Sequence, residues 1–210
     1  MSKTLLACAF AGGVLVAAGG WYALAEREPP SRSAAELMDV LMWNREPVGG
    51  PFALTDHNGR ARSDVDFRGK LMLVYFGFTF CSDVCPIDLQ SIAAALDKLG
   101  PRAEAVQPLF ITVDPEKDTP DQLKTHVGLF HPRVIGLTGT PRQIRQVAAS
   151  YRVYYAKTEP TRRGDPNVDH TGLTFLIDRE GRYRGFFPPG TSADRLTDVI
   201  RPLIEGAPPS

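Results

Sequence analysis

Cysteine is scarce in this chain, 3 among 210 residues, too few for a disulfide-stapled scaffold. Net charge is absent as well: 24 Lys and Arg stand against 24 Asp and Glu. Nothing draws a polyanion across a wide surface, which sets aside a nucleic-acid backbone binder. No internal repeat is visible. Apolar residues are not lacking. With 43% hydrophobic and 23% charged residues, the chain can bury a sizeable core, and wholesale disorder and coiled-coil fibres are excluded. Glycine (19) and proline (18) are plentiful without a period, which predicts a loop-rich fold. The length suits one domain with appendages.

The appendage is N-terminal. Leu5 to Leu24 is an almost unbroken apolar run, with Lys3 before it and Glu26, Arg27 and Glu28 after it. About 20 apolar residues cross a bilayer as a helix, and the flanking Lys keeps the N-terminus in the cytoplasm, with the rest exported. Residues 1–25 therefore read as a transmembrane anchor or as a signal segment cut after Ala25, at Ala23-Leu24-Ala25. The length of the run, with Trp21 and Tyr22 as interface residues, favours the anchor. Too few apolar residues precede Cys8 for a lipoprotein cleavage box, so Cys8 is a filler of the segment. The expected location is a bacterial inner membrane with the body in the periplasm, or a cleaved periplasmic protein. Residues 26–47 read as a polar, Pro-rich linker and a short amphipathic segment. Residues 48–205 form the working domain and 206–210 a tail.

The body alternates strands and helices. Phe52 to Ser63 reads as a hairpin around Asn58-Gly59, with His57 a solvated residue of its turn. Leu71 to Phe78 is an apolar and aromatic run with the content of a strand buried on both faces. Pro86 to Leu99 reads as a helix with Leu89, Ile92, Ala93, Leu96 and Leu99 on its apolar stripe. Leu109 to Val113 is a second buried strand. Thr119-Pro120-Asp121-Gln122 and Thr140-Pro141-Arg142-Gln143 have capping-box spacing and start helices. Between them Val134 to Leu137 is a short strand. Leu173 to Ile177 and Tyr183 to Phe187 close as a hairpin, and Asp194 to Ile204 is the last helix. This order predicts an α/β fold, a mixed central sheet with helices on both faces and an N-terminal β-hairpin extension. A cysteine pair after the first buried strand, at a helix start, makes it a thioredoxin-like sandwich.

That pair is Cys81 and Cys85, in Phe78-Thr79-Phe80-Cys81-Ser82-Asp83-Val84-Cys85-Pro86. Four residues apart, the sulfurs fall on one face of a helix, or converge in a loop, within reach of a disulfide or a shared metal ion. The helix start also lowers thiol pKa. Three active chemistries compete with an inert structural pair. Thioredoxin-type exchange normally has two residues between the cysteines, and here there are three. A peroxidatic thiolate needs Thr or Ser three residues earlier, where Phe78 stands. Zinc wants four ligands, and no second cysteine pair exists. Copper(I) is satisfied by two or three soft ligands, and copper(II) accepts two thiolates with an imidazole. Met38 and Met42 read as core packing rather than thioether ligands. Among the histidines, His126 and His131 read as surface or cap residues. His170 ends the polar stretch from Lys157 and precedes a strand, where a loop brings an imidazole to a distant site, with Asp169 beside it to orient or charge-balance the ring.

Gly50-Pro51-Phe52 with Leu54-Thr55-Asp56, Phe67-Arg68-Gly69-Lys70, and Tyr75 to Pro86 resemble the Sco/SenC family. Val113-Asp114-Pro115 with Asp118-Thr119-Pro120, and Asp169-His170-Thr171 before a strand, match its later motifs. The resemblance runs from about Val48 to Leu203. It implies a membrane-tethered, thioredoxin-fold copper protein, binding Cu(I) and Cu(II), that serves the dinuclear copper site of cytochrome c oxidase during assembly. The role implied is copper donor, thiol-disulfide reductant, or both. The partners implied are the oxidase's copper-site subunit, a copper donor and a thiol reductant. The metal ligands implied are Cys81, Cys85 and His170, with Cys81 and Cys85 doubling as the redox pair if the chain is an oxidoreductase. Asp83 and Asp114 match acidic positions of the family's motifs. Ser82 replaces the usual Pro after the first Cys, and Thr171 replaces the usual Ser after the His.

Overall fold

The longest apolar run of the domain becomes the middle of the sheet. The computed structural model describes residues 47–81, 84–158 and 167–206, all within one unit of the chain, Asp39–Ser210. The N-terminal apolar run, the 26–46 segment and Asp83 lie outside the described residues. Among the described residues no helix is long and apolar enough to cross a membrane.

The strands are β1 (Ala53–Asp56), β2 (Ala61–Ser63), β3 (Leu71–Gly77), β4 (Val106–Thr112), β5 (Ile135–Thr138), β6 (Tyr155–Thr158), β7 (Asn167–His170), β8 (Thr174–Ile177) and β9 (Tyr183–Phe187). The helices are α1 (Val84–Leu99), α2 (Pro120–Gly128), α3 (Pro141–Ser150) and α4 (Ala193–Ile204). Seven strands form one sheet in the order β2-β1-β5-β4-β3-β8-β9. β3, β4 and β5 run parallel, and β1 and β8 join antiparallel on either side. The expected mixed sheet and thioredoxin-like sandwich are what the chain builds.

Every residue of β3 is buried, because both faces of the sheet are covered. One face carries Leu71, Leu73 and Tyr75, packed with Leu89, Ile92 and Leu96 of α1, Leu123 and Val127 of α2, and Leu196 and Ile200 of α4. On the other face Phe76 and Phe175 pack against Tyr151, which caps α3. Each fully buried Phe contributes roughly 2–3 kcal/mol by area removed from water. Both capping boxes form, Thr119 with Gln122 and Thr140 with Gln143, each with Pro in the first turn.

Four details differ from the sequence reading. β4 starts at Val106 rather than Leu109, with Pro108 inside it. Pairing to β5 begins only at Leu109, so Pro108 lies at a margin of the ladder. In the first hairpin four residues, His57 to Arg60, connect β1 and β2, with Gly59 left-handed at φ 76°. Its turn is held by Asp56, whose Oδ1 accepts the N–H groups of Asn58 and Arg60. His57 is a structural residue there rather than a merely solvated one. Its Nδ1 accepts the Gly136 N–H at 3.0 Å, and its own N–H donates to the Gly136 carbonyl. Finally, part of the polar stretch before His170 is not loop. Tyr155–Thr158 and Asn167–His170 pair antiparallel as a separate two-stranded ribbon.

Candidate metal centre

The C-terminal ends of two adjacent parallel strands meet at Gly77 of β3 and Thr112 of β4, which are register partners. Open α/β sheets present their sites at this edge. The chain leaves β3 through Phe78-Thr79-Phe80, turns at Cys81, whose N–H donates to the Phe78 carbonyl at 3.2 Å, and enters α1. Cys85 lies in the first turn of α1, fully buried, while Cys81 is partly exposed. The two are thiols, not joined by a disulfide. His170 arrives from the end of β7, and its Nε2 lies 3.2 Å from the Cys85 Sγ. The ligand atoms of Cys81, Cys85 and His170 all lie within 4.8 Å of one another. Local order in the sequence supplies the two sulfurs, and a contact across 85 residues supplies the nitrogen.

The imidazole is oriented by aromatic rings. Tyr75 and Phe78 both meet it edge-on, at centroid distances of 6.3 and 6.0 Å. Its Nδ1 is buried and makes no hydrogen bond. Asp169 does not take the orienting role expected of it: it is exposed, and neighbouring residues of a strand point to opposite faces. Thr171 secures the end of β7 instead. Its N–H donates to the Tyr154 carbonyl at 2.9 Å, and its Oγ1 accepts the Tyr154 N–H at 3.1 Å. A serine hydroxyl at this position would make the same bonds.

The thiol of Cys85 is not acidified as its place at a helix start predicts. The hydrogen-bonded Cys81 thiol beside it, and then burial, push it far above the usual range. A buried sulfur gains little from a helix dipole when no cation faces it. Burial, with Cys85 adjacent, likewise pushes up the Tyr75 hydroxyl. A metal ion is the counter-charge that such a site lacks, because it deprotonates a coordinating thiol outright. Two thiols and an imidazole converging at a partly buried point are a donor set that fits a soft ion, copper above all.

Two groups of carboxylates flank the centre. Asp118, fully buried, receives hydrogen bonds from Thr79 and Thr112, and burial raises its carboxyl. Asp114, 2% exposed, accepts the Lys117 and Asp118 N–H groups at its carbonyl. Its carboxylate lies 3.5 Å from Lys157 of β6, which also bonds Glu116 at 2.5 Å. Asp114 thus both closes a turn and ties the His170 ribbon to the sheet. Gly77 leaves room for the site: a Cβ there would lie 3.0 Å from the Cys85 Sγ.

The other histidines of the described residues are not part of the Cys81, Cys85 and His170 group. His131 accepts the Arg133 N–H at Nδ1 and faces Asp97 at 3.6 Å, a cap as expected. His126 is half-buried in the last turn of α2, where its carbonyl accepts the Leu129 N–H that caps the helix. It packs between Phe110 and Phe130, 5.2 Å from each, and burial lowers its pKa. It lines a cavity of about 390 Å³ with Thr79, Phe80 and Leu129. Asp118, Gly77 and Tyr75 were visible in the sequence only as parts of motifs, since their roles depend on what the fold brings opposite them.

Known proteins place this geometry. The SCO1/SenC family model matches residues 42–205. The mitochondrial SCO2 homolog of Bos taurus is 40% identical over 200 residues, covering 94% of this chain and 73% of its own. Among solved structures, copper-bound ScoI of Arabidopsis thaliana has a TM-score of 0.71 at 42% identity, covering 76% of this chain and 99% of its own. Copper-bound ScoI of Bradyrhizobium japonicum has a TM-score of 0.68 at 43% identity, covering 73% of this chain and 98% of its own. The match spans the sheet, the cysteine arm and the histidine ribbon alike, and the chain belongs to the SCO1/SenC family.

Proposed function

We propose that this chain binds copper through Cys81, Cys85 and His170 and passes it to the dinuclear copper site of cytochrome c oxidase during assembly. The observation that carries this reading is the convergence of two sulfurs and one imidazole nitrogen within 4.8 Å. Copper bound in the ScoI structures supports it. As thiolates, Cys81 and Cys85 hold copper(I), and His170 completes the set for copper(II). Burial of Cys85 excludes competing water, while the partial exposure of Cys81 leaves one sulfur accessible to an acceptor's ligand. His170 stands on a pinned ribbon rather than a free loop, so release proceeds first at Cys81. An N-terminal anchor in a bacterial inner membrane, with residues 48–205 in the periplasm, puts the site on the side where the acceptor subunit is assembled.

A second reading has its own observation. The two thiols are hydrogen-bonded to each other, one accessible and one buried, the asymmetry of an exchange pair. Cys81 attacks a partner's disulfide and Cys85 resolves the mixed disulfide. The partner gains two electrons and two protons as Cys81 and Cys85 form a disulfide, and an exported reductant resets them.

Copper titration of the reduced full chain in mild detergent separates the two. Copper(I) is followed with a competing chelator and copper(II) by absorption and EPR. One-to-one binding, lost in Cys81→Ser and Cys85→Ser and losing its copper(II) signature in His170→Ala, is the expected result. Weak binding indifferent to His170→Ala overturns the copper reading and moves the weight to thiol exchange.

A further inference from the structure

The three proposed ligands are not held equally. Cys85 is fixed inside a 16-residue helix, and His170 ends a paired strand between two aromatic rings. Cys81 lies in a turn between β3 and α1, beside Phe80, which is 47% exposed. Two residues before Cys81, the chain is gripped by a carboxylate outside the ligand set. The Thr79 hydroxyl donates to Asp118 Oδ1 at 2.6 Å, and the Thr79 N–H donates to Asp118 Oδ2 at 3.0 Å. Backbone and side chain of one residue are thus bound by two oxygens of one group, which fixes its rotation as well as its place. Asp118 is itself immobilised. The Thr112 hydroxyl at the end of β4 donates to Oδ2 at 2.6 Å, and the Asp118 N–H donates to the Asp114 carbonyl at 2.9 Å.

A fully buried carboxylate is a costly way to fill space, since burial disfavours its charge. Its three hydrogen bonds offset that cost only while all are made. Two of the three run to the cysteine arm. From Thr79 to Cys81 the chain reaches at most about 7 Å, so a shift of Thr79 is a shift of the sulfur. We propose that Asp118 is a positioning residue for Cys81, clamping the arm through Thr79 so that its sulfur stands opposite Cys85 and His170. This rests on the reading of Cys81 as a functional thiol.

The test uses Thr79→Val, which removes the hydroxyl bond to Oδ1 and keeps the shape and the N–H, with Thr79→Ser as the conservative rescue. Val147→Ala, in α3 on the opposite face, serves as a purely destabilising control. In the metal-free full chain, amide exchange at Phe80 and Cys81 is expected to accelerate about tenfold or more in Thr79→Val, the factor for losing a hydrogen bond to a charged group. Thr79→Ser should exchange like wild type. In the copper(II)-loaded chain, the sulfur-to-copper absorption and EPR hyperfine splitting should shift in Thr79→Val and not in Val147→Ala. Unchanged exchange in Thr79→Val, or an equal spectral shift in Val147→Ala, overturns the clamp. If wild type binds no copper, the proposed function fails, and the exchange measurement still decides the role of Asp118.

Discussion

Gly77→Ala puts one methyl group where the site has no room for it. Gly77 is not among the left-handed glycines, so the substitution meets no backbone strain and the effect is one of space alone. The added Cβ would lie 2.9 Å from the Phe110 ring, 3.0 Å from the Cys85 Sγ and 3.2 Å from the Tyr75 ring. All three neighbours are fully buried, so none has an open direction in which to yield. Ordinary contact distances of roughly 3.5–4 Å require displacements of several tenths of an ångström. Phe110 and Tyr75 are core residues of β4 and β3, packed against each other, and overpacking of this kind costs about 1–3 kcal/mol. For a domain of this size that is a fall in Tm of roughly 2–12 °C. The sulfur of Cys85 takes part of the displacement, so copper affinity falls alongside stability. Urea unfolding of the metal-free protein and chelator competition for copper(I) measure the two effects. If both match wild type, the packing of Cys85 against β3 does not hold the site, and the reasoning fails.

Three further outcomes follow from the same geometry. Burial raises the Asp56 carboxyl, but the Arg60 N–H, the Arg62 guanidinium and the Asn58 N–H together outweigh it and leave the pKa lowered. A depressed folded-state pKa stabilises above the unfolded value of about 4, and that contribution is lost as pH falls through the folded value. The stability advantage of wild type over Asp56→Asn should hold at neutral pH and shrink on acidification below about pH 4; an advantage that grows there contradicts the assignment. Lys157→Met removes the exposed cation between Asp114 and Glu116. Global stability should fall by no more than about 1 kcal/mol, with the difference fading at 1 M salt, while β6–β7 amides exchange faster; a salt-independent loss would exclude an ionic tie. Thr171→Ser should match wild type in copper binding, and Thr171→Val should weaken it by loosening the end of β7 from Tyr154, as read by titration of both variants.

Most of the fold could be read from local pattern, because its centre is built from residues that announce themselves. Leu71 to Gly77 is apolar throughout, and every residue is buried. The two Thr-Pro-x-Gln boxes begin helices at the expected residue. The first hairpin turns at Asn58-Gly59, with His57 and Arg60 as further loop residues that the dipeptide alone does not reveal. Pro108 misled the strand boundary because proline's missing N–H argues against a strand interior, while pairing geometry decides whether that N–H is needed. The β6–β7 ribbon escaped for a related reason. Four-residue strands of mixed polarity carry no period distinguishable from a loop, and among the described side chains of the ribbon only Val168 is deeply buried.

The site shows the same division more sharply. Cys81 and Cys85 are neighbours in sequence, so the strand-to-helix context sufficed to place both sulfurs together. His170 stands 85 residues away from Cys85, and spacing alone could not close that gap; the resemblance to a family bridged it. What neither route supplied is how the three side chains are held. Asp118 was legible only as one residue of a family motif, and its carboxylate turns out to grip Thr79 across 39 residues. Asp169 looked like the partner of His170 because it is adjacent, and adjacency on a strand is what places it on the other face. Local sequence therefore named the donors, whereas the groups that orient them belong to β3, β4 and the turn before α2. A search for such groups in other chains of this family should start from buried carboxylates at the ends of the parallel strands, not from the residues beside the ligands.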